Sequence, residues 1–287
     1  MQNIKHIFLM IIFLIIIFCY QLIIPFNKEI ISSIIFSFIP SLFPCLLLIN
    51  IVLENDTLLF IYNKLKNNFF TRYIFVLFLV FLSSIVGMPS LQLVLKKLLD
   101  YKIINKKDYN NFIYSFGTIS FPFLYGVCLI NYEINICLRM LIFFYFGNLI
   151  NLFILGFKIN NIDVKIKEKS LLSSINQSIN LSIKTISVIV STVCLFSLLL
   201  FLGEIIKAPY RYLIEGLIEF SYPCLKASKL KTISGELIVL FISLFPSLSI
   251  IIQSKIINKE LDIRKYIFNR LLIVFFSVSF YYLIFSY

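Results

Sequence analysis

A chain of 287 residues with 60% hydrophobic and 14% charged side chains, and a mean hydropathy of +0.97, carries more apolar surface than one soluble core can hide. That excludes a soluble domain and points to an all-α, polytopic membrane protein with about seven to eight hydrophobic segments. The net charge of +12 reads as loop Lys and Arg on the cytoplasmic side. It is not a nucleic-acid footprint, because the basic residues are not interleaved with aromatics on one face and no nucleic-acid motif occurs.

In chain order, Lys5 and His6 precede an apolar run, Ile7 to Ile24, bounded by Pro25. Cys19-Tyr20-Gln21 offers no small-residue cleavage site, so residues 1–28 read as an uncleaved first span. Ile30 to Leu53 follows, bent by Pro40 and Pro44 on one helical face. The loop from Glu54 to Arg72 is basic, with Lys64, Lys66 and Arg72. Tyr73 to Leu95 is a membrane-length run interrupted at Gly87-Met88-Pro89-Ser90, where proline removes a backbone donor and glycine relaxes the helix. Lys96, Lys97, Lys102, Lys106 and Lys107 follow. If the run crosses, one basic loop lies outside; if it turns back as a re-entrant hairpin, both lie inside, as the positive-inside rule prefers. The span Asn111 to Ile130 carries Ser115, Gly117, Thr118, Ser120 and Pro122 and needs protein neighbours or a cavity. Leu138 to Phe157 is the next span, with Arg139 near its end placed to snorkel. These segments form a first membrane repeat, 29–157, and the lysine-bearing stretch 158–172 is read as a cytoplasmic linker.

The second repeat, 173–287, opens with Asn176, Asn180 and Lys184 on one face of an interfacial helix. It leads into a span at Ile186 to Leu202, where Lys184 either snorkels or lines a transport path. Between Pro209 and Leu225, Arg211, Glu215 and Glu219 recur every four residues. This segment lies on the membrane surface, or else turns Glu215 or Glu219 toward a polar cavity; Arg211 and Glu215 can pair. Ile233 to Ile252 is interrupted at Pro246-Ser247-Leu248, as the first run is at Pro89-Ser90-Leu91, and each proline has a tyrosine twenty residues on, Tyr109 and Tyr266. Paired interruptions suggest an internal repeat and a transporter-type site. Basic-loop placement prefers a crossing for the second interrupted run, so the two halves disagree and the topology stays open. The last span, Leu271 to Phe285, is preceded by Arg264, Lys265 and Arg270.

Familiar catalytic constellations are missing. The only histidine is His6, no GxxxxGK[ST] or GxGxxG occurs, and the 14 carboxylates lie mostly in loops without aspartyl pairs at membrane depth. Cys19, Cys45, Cys128, Cys137, Cys194 and Cys224 show no metal-ligand spacing and read as packing residues. No enzyme activity, cofactor or metal is expected.

Several stretches resemble one family. IPSLFPCLLL looks like its proline-bearing early span; VGMPS, with Gly87 and Pro89, resembles its GYPxGxK motif; SFPFLYG, with Ser120, Phe123 and Gly126, resembles its S-P-x-F-x-x-G element. EGLIEF resembles a motif built around Glu219, and PSLSIIIQ one ending in Gln253. From about Ile30 to Arg270 the order is similar to the sporulation integral membrane protein YlbJ family, whose members carry the nucleoside recognition (Gate) domain also found in nucleoside transporters. Leu91 and Gln92 replace that motif's second glycine and its neighbour, Phe121 replaces a proline, and Pro246-Ser247 replaces a glycine pair.

The resemblance implies a multi-pass bacterial cell-membrane protein of sporulation, transporter- or permease-like, for a small polar, nucleoside-like solute. The alternatives are a non-transporting scaffold in spore-envelope assembly and a membrane-embedded enzyme. The site would lie where the two breaks meet, formed by Gly87, Pro89, Ser90, Gln92, Ser120, Pro122, Glu219, Pro246, Ser247, Ser249 and Gln253. The partners implied are the lipid bilayer, an unidentified solute, and a second copy or other membrane proteins, with no nucleic acid.

Overall fold

The computed structural model describes residues 39–128, 131–166, 170–200 and 210–285, with residues 10, 28, 31, 32, 35 and 36. The expected first span at 7–24 lies almost wholly outside the described residues, as does the stretch 201–209. Every regular element among the described residues is helical. They are α1 (Ile39–Glu54), α2 (Thr57–Leu65), α3 (Phe69–Val86), α4 (Ser90–Asp100), α5 (Lys106–Phe116) and the short α6 (Phe121–Phe123). The last continues as a π-helical turn (Leu124–Cys128), and α7 (Ile134–Leu155) follows. After an extended linker come α8 (Leu171–Ser197), α9 (Tyr210–Ile218), α10 (Ser221–Ser228), α11 (Ile233–Leu244), α12 (Leu248–Ile257) and α13 (Ile263–Phe285).

Among the described residues, four stretches are long and apolar enough to cross a bilayer: α7, α8, α11 with α12, and α13. The pair α1 and α2, bent by 63°, makes a fifth if counted as one span. The count falls below the seven to eight apolar runs of the sequence because the run 7–24 lies almost wholly outside the described residues and breaks cut two others into helices too short to span alone. Tyr73 to Leu95 is divided between α3 and α4, and Asn111 to Ile130 between α5 and α6. The stretch from Glu54 to Arg72, expected as a loop, contains α2.

Polarity is arranged as lipid demands. Leu138, Ile142, Leu149 and Phe153 of α7, and Phe268, Leu271 and Phe275 of α13, are exposed, while serines and asparagines are buried. Along α8, Ser174, Ser178 and Ser182 recur every four residues on the buried face. Ser178 and Ser182 donate to the carbonyls one turn back, Ser174 and Ser178, and Ser182 accepts from Asn50 of α1 at 2.8 Å. Their small size lets α1 and α8 lie close together. Asn176, Asn180 and Lys184 occupy the exposed face of this one continuous helix, which corrects the expectation of an interfacial helix feeding a separate span.

Hydrogen bonds and ion pairs show which loops share an end of the molecule. At one end of the molecule, Tyr62 of α2 donates to the carbonyl of Asn160 in the linker (2.6 Å), and Asn63 donates to that of Val164 (2.7 Å). The Asn160 amide donates to Ile103, in the turn after α4, at 2.8 Å. Lys97 pairs with Asp56 at 2.5 Å, and Lys106 with Glu260 at 2.5 Å. Asn111 reaches the carbonyl of Leu155, the last residue of α7, at 3.0 Å. At the opposite end Asn131 donates to Ser228 at 2.8 Å. There Arg139, expected to snorkel, instead bonds both carboxylate oxygens of Glu236 at 2.8 and 2.6 Å and sits over the Phe285 ring.

The path follows. From the first end α3 goes inward and α4 returns, so the run interrupted at Gly87 turns back. The path α5–α6 crosses to the second end and α7 recrosses. The path α11–α12, interrupted at Pro246, crosses from the second end to the first, and α13 recrosses. The two proline-bearing runs thus hold different places in the fold.

Candidate functional site

Besides the bend between α1 and α2, four helix breaks lie inside the molecule among the described residues. At the first, α3 closes on Gly87 (φ 61°), whose amide donates to Ser83 at 3.0 Å. The Met88 amide donates to Thr118 of the second break at 2.7 Å. The approach is close enough that a Cβ on Gly87 would lie 2.5 Å from the Ser120 nitrogen, so only glycine fits both the backbone and the contact. At the second break, α5 stops at Gly117 and Ser120 caps α6 through the Phe123 amide at 3.4 Å.

The third break, between α9 and α10, has no glycine or proline at its turn. Glu219 makes it: its carboxylate accepts from the Ser221 amide (3.0 and 2.9 Å), the Ser221 hydroxyl (2.6 Å) and the Tyr222 amide (3.2 Å). A carboxylate there meets the positive end of α10 and satisfies its free donors. Glu215 and Glu219 are both buried, which corrects the reading of this segment as a helix on the membrane surface, although Arg211 does pair with Glu215 at 2.7 Å. At the fourth break, α11 ends at Leu244, Phe245 is its C-cap and Pro246 follows; Ser247 caps α12 through the Ile250 amide at 3.4 Å and its hydroxyl lies 2.8 Å from that of Ser249.

Breaks leave carbonyls without helical partners, and in a lipid setting protein groups must satisfy them. Arg270, fully buried on α13, does so for two breaks at once. Its Nε donates to the Leu244 carbonyl (2.8 Å), and its Nη1 to the Ser115 carbonyl (2.5 Å) and the Asn148 side chain (2.9 Å). Tyr266, one turn earlier, donates to the Gly117 carbonyl. The negative ends of α5 and α11 thus stand where a carboxylate would otherwise balance the guanidinium. Sequence reading set Arg270 in the approach to the last span; the helix in fact begins at Ile263 and carries it two turns inward. The available signal was the four-residue spacing of Tyr266 and Arg270, which places both on one helical face.

A cavity of about 20 Å³ lies among the breaks, lined by Val86 and Met88 of the first, Ile119 and Ser120 of the second, Phe220 of the third and Gln253 of α12. It has room for about one water. Gln253 donates to Thr192 of α8 at 2.6 Å, a partner that sequence reading missed. Of the residues expected to form a site, Ser120 and Gln253 meet at this cavity, and Gly87 allows the approach that closes it. Pro89 and Pro246 are buried within their breaks. Pro122 is half-buried at the start of α6, and Glu219, Ser247 and Ser249 are engaged with helix ends or each other. Ser90 and Gln92 are buried on α4, and neither the Ser90 hydroxyl nor either polar atom of the Gln92 amide has a hydrogen-bond partner. Among the described residues, no group of three or more His, Cys, Asp or Glu side chains is placed to hold a metal ion. No family model, curated protein or solved structure matches the chain.

Proposed function

We propose that the protein is a bacterial sporulation membrane protein of the YlbJ, Gate-domain kind, working as a transporter or permease for a small, neutral, polar, nucleoside-like solute. The observation that carries this reading is the convergence of helix breaks from both halves of the chain on one buried cavity that holds Ser120 and Gln253. Broken helices at membrane depth place free backbone groups where a solute sheds its water. The neutral side chains Ser120 and Gln253 at the cavity favour a solute that both donates and accepts hydrogen bonds.

The element order supports an inverted repeat. In this register α1 with α2, α3–α4, α5–α6 and α7 correspond to α8, α9–α10, α11–α12 and α13. Gly87 to Pro89 then matches Glu219 and Phe220, and Gly117 to Ser120 matches Phe245 to Ser247, a register one element away from pairing the two prolines. Contacts follow it: α1 packs on α8, α7 on α13, and α4 on α12 as α10 packs on the π-helical turn. An inverted repeat allows the two ends to open alternately around one site.

A second reading, a non-transporting scaffold, is favoured by the small and mainly apolar lining of the cavity. Uptake of labelled neutral solutes, nucleosides first, into vesicles holding the purified protein separates the two. Transport predicts accumulation above empty vesicles that Pro89→Ala and Pro246→Ala each impair while both variants still insert. No uptake of any solute, with sporulation supported equally well by both variants, would sink it in favour of the scaffold.

A further inference from the structure

Away from the breaks, at the first end, a cavity of about 280 Å³ opens between α3 and the start of the linker, lined by Arg72, Tyr73, Val76, Phe157, Lys158 and Ile159. Two cations from separate elements contribute to an otherwise apolar and aromatic lining. The Arg72 side chain lines the cavity, and its planar guanidinium fork suits a phosphate. Lys158 is exposed, and its backbone amide donates to Asp108 at 3.0 Å.

What extends from the cavity identifies the occupant. Below Arg72, the outer face of α3 presents Tyr73, Ile74, Leu77 and Phe81, all exposed at helical spacing, and α7 presents exposed Phe153 and Ile154 close to the linker. A phosphate seated on the two cations would therefore carry its apolar chains down a stripe made for them, while the cavity itself holds the head group and glycerol but not two acyl chains. The same end exposes Lys64, Lys96, Lys102, Lys107 and Lys165, the charge asymmetry that faces an anionic leaflet. We infer that the cleft between α3 and the linker binds the phosphate of an anionic phospholipid on Arg72 and Lys158, with the acyl chains along α3.

The chain contains no tryptophan, so Tyr73→Trp in the full-length protein gives a single fluorescent reporter at the cleft. Phe275→Trp, on the exposed face of α13, reports the general lipid shell. Both are reconstituted into phosphatidylcholine vesicles with rising fractions of chain-brominated phosphatidylglycerol or chain-brominated phosphatidylcholine, and quenching is compared. The site predicts about a tenfold preference for phosphatidylglycerol at the Tyr73→Trp reporter and little at Phe275→Trp. The preference should fall to the Phe275→Trp level when Arg72→Gln and Lys158→Gln are added. The same pair of changes in the Phe275→Trp protein checks that insertion is intact. Equal preference at both reporters, or a preference unmoved by the two substitutions, overturns the proposal. Loss of the preference on adding millimolar inorganic phosphate would assign the cleft to a soluble phosphate instead and equally overturn the lipid assignment.

Discussion

Gly87 and Gly156 both have positive φ, 61° and 73°, but only Gly87 stands against another chain segment. Gly156 has nothing within 4 Å of its would-be Cβ. Gly156→Ala should therefore cost roughly 1–2 kcal/mol, the conformational term alone. Gly87→Ala must also push Ser120 away and should cost on the order of 3 kcal/mol. Thermal melting in detergent compares them, and equal losses would remove the close approach from the account of the site. Arg270 offers the complementary test, by deletion of a partner. Arg270→Leu strands the carbonyls of Leu244 and Ser115 and the Asn148 side chain, for a loss of about 3–5 kcal/mol or failure to fold. Arg270→Lys keeps the charge but lacks the fork, and should melt between the two. A leucine variant as stable as the parent would mean that the ends of α5 and α11 find other donors. Sequence reading missed Arg270 because basic residues usually flank spans. Its burial makes sense only once two helices are known to end beside it.

Elements differ in how visibly the sequence marks them. Gly87-Met88-Pro89 and Pro246 announce their breaks because glycine and proline act through the local backbone alone. The break at Glu219 was not legible as one: a glutamate at four-residue spacing from Glu215 continues a helix equally well, and only the amides of Ser221 and Tyr222 that it caps distinguish the outcomes. Whether a break turns the chain back or lets it cross was also hidden, since both give the same apolar run. The loop between α12 and α13 is held by surface charge, and its chemistry gives a pH test. The hydrogen bond and charge of Lys106 hold the Glu260 carboxyl below its usual range. A depressed carboxyl contributes stability above its unfolded pKa and loses it as pH falls through the folded value. Lys106→Gln should thus lower the melting temperature slightly at neutral pH and low salt. The difference should close in acid, and also at about 1 M salt, where screening acts within about 3 Å. A difference constant across pH would show that Lys106 acts by packing rather than charge.

At the scale of the whole molecule, the strongest commitment is which loops share an end. The linker ties α2 to the turn after α4 through Tyr62, Asn160 and Ile103, so both ends of the path α3–α4 lie together. Lys106 brings the loop before α13 to the same end. Asn131 and Ser228 join at the other end, with the turn before α11 beside them. Single cysteines at Lys64, Lys96, Lys165, Lys231 and Lys259, all exposed, test this directly in a background without the native cysteines. A membrane-impermeant thiol reagent applied to oriented vesicles should find positions 64, 96, 165 and 259 on one face and 231 alone on the other. Positions 64 and 96 on opposite faces would make α3–α4 a crossing and dissolve the inverted repeat. Position 259 on the face of 231 would instead turn α11–α12 back, remove the fourth break from the centre and leave Gln253 with no cavity to line. Only the pattern of four against one keeps the breaks of both halves at a single depth, which alternating access around one site requires.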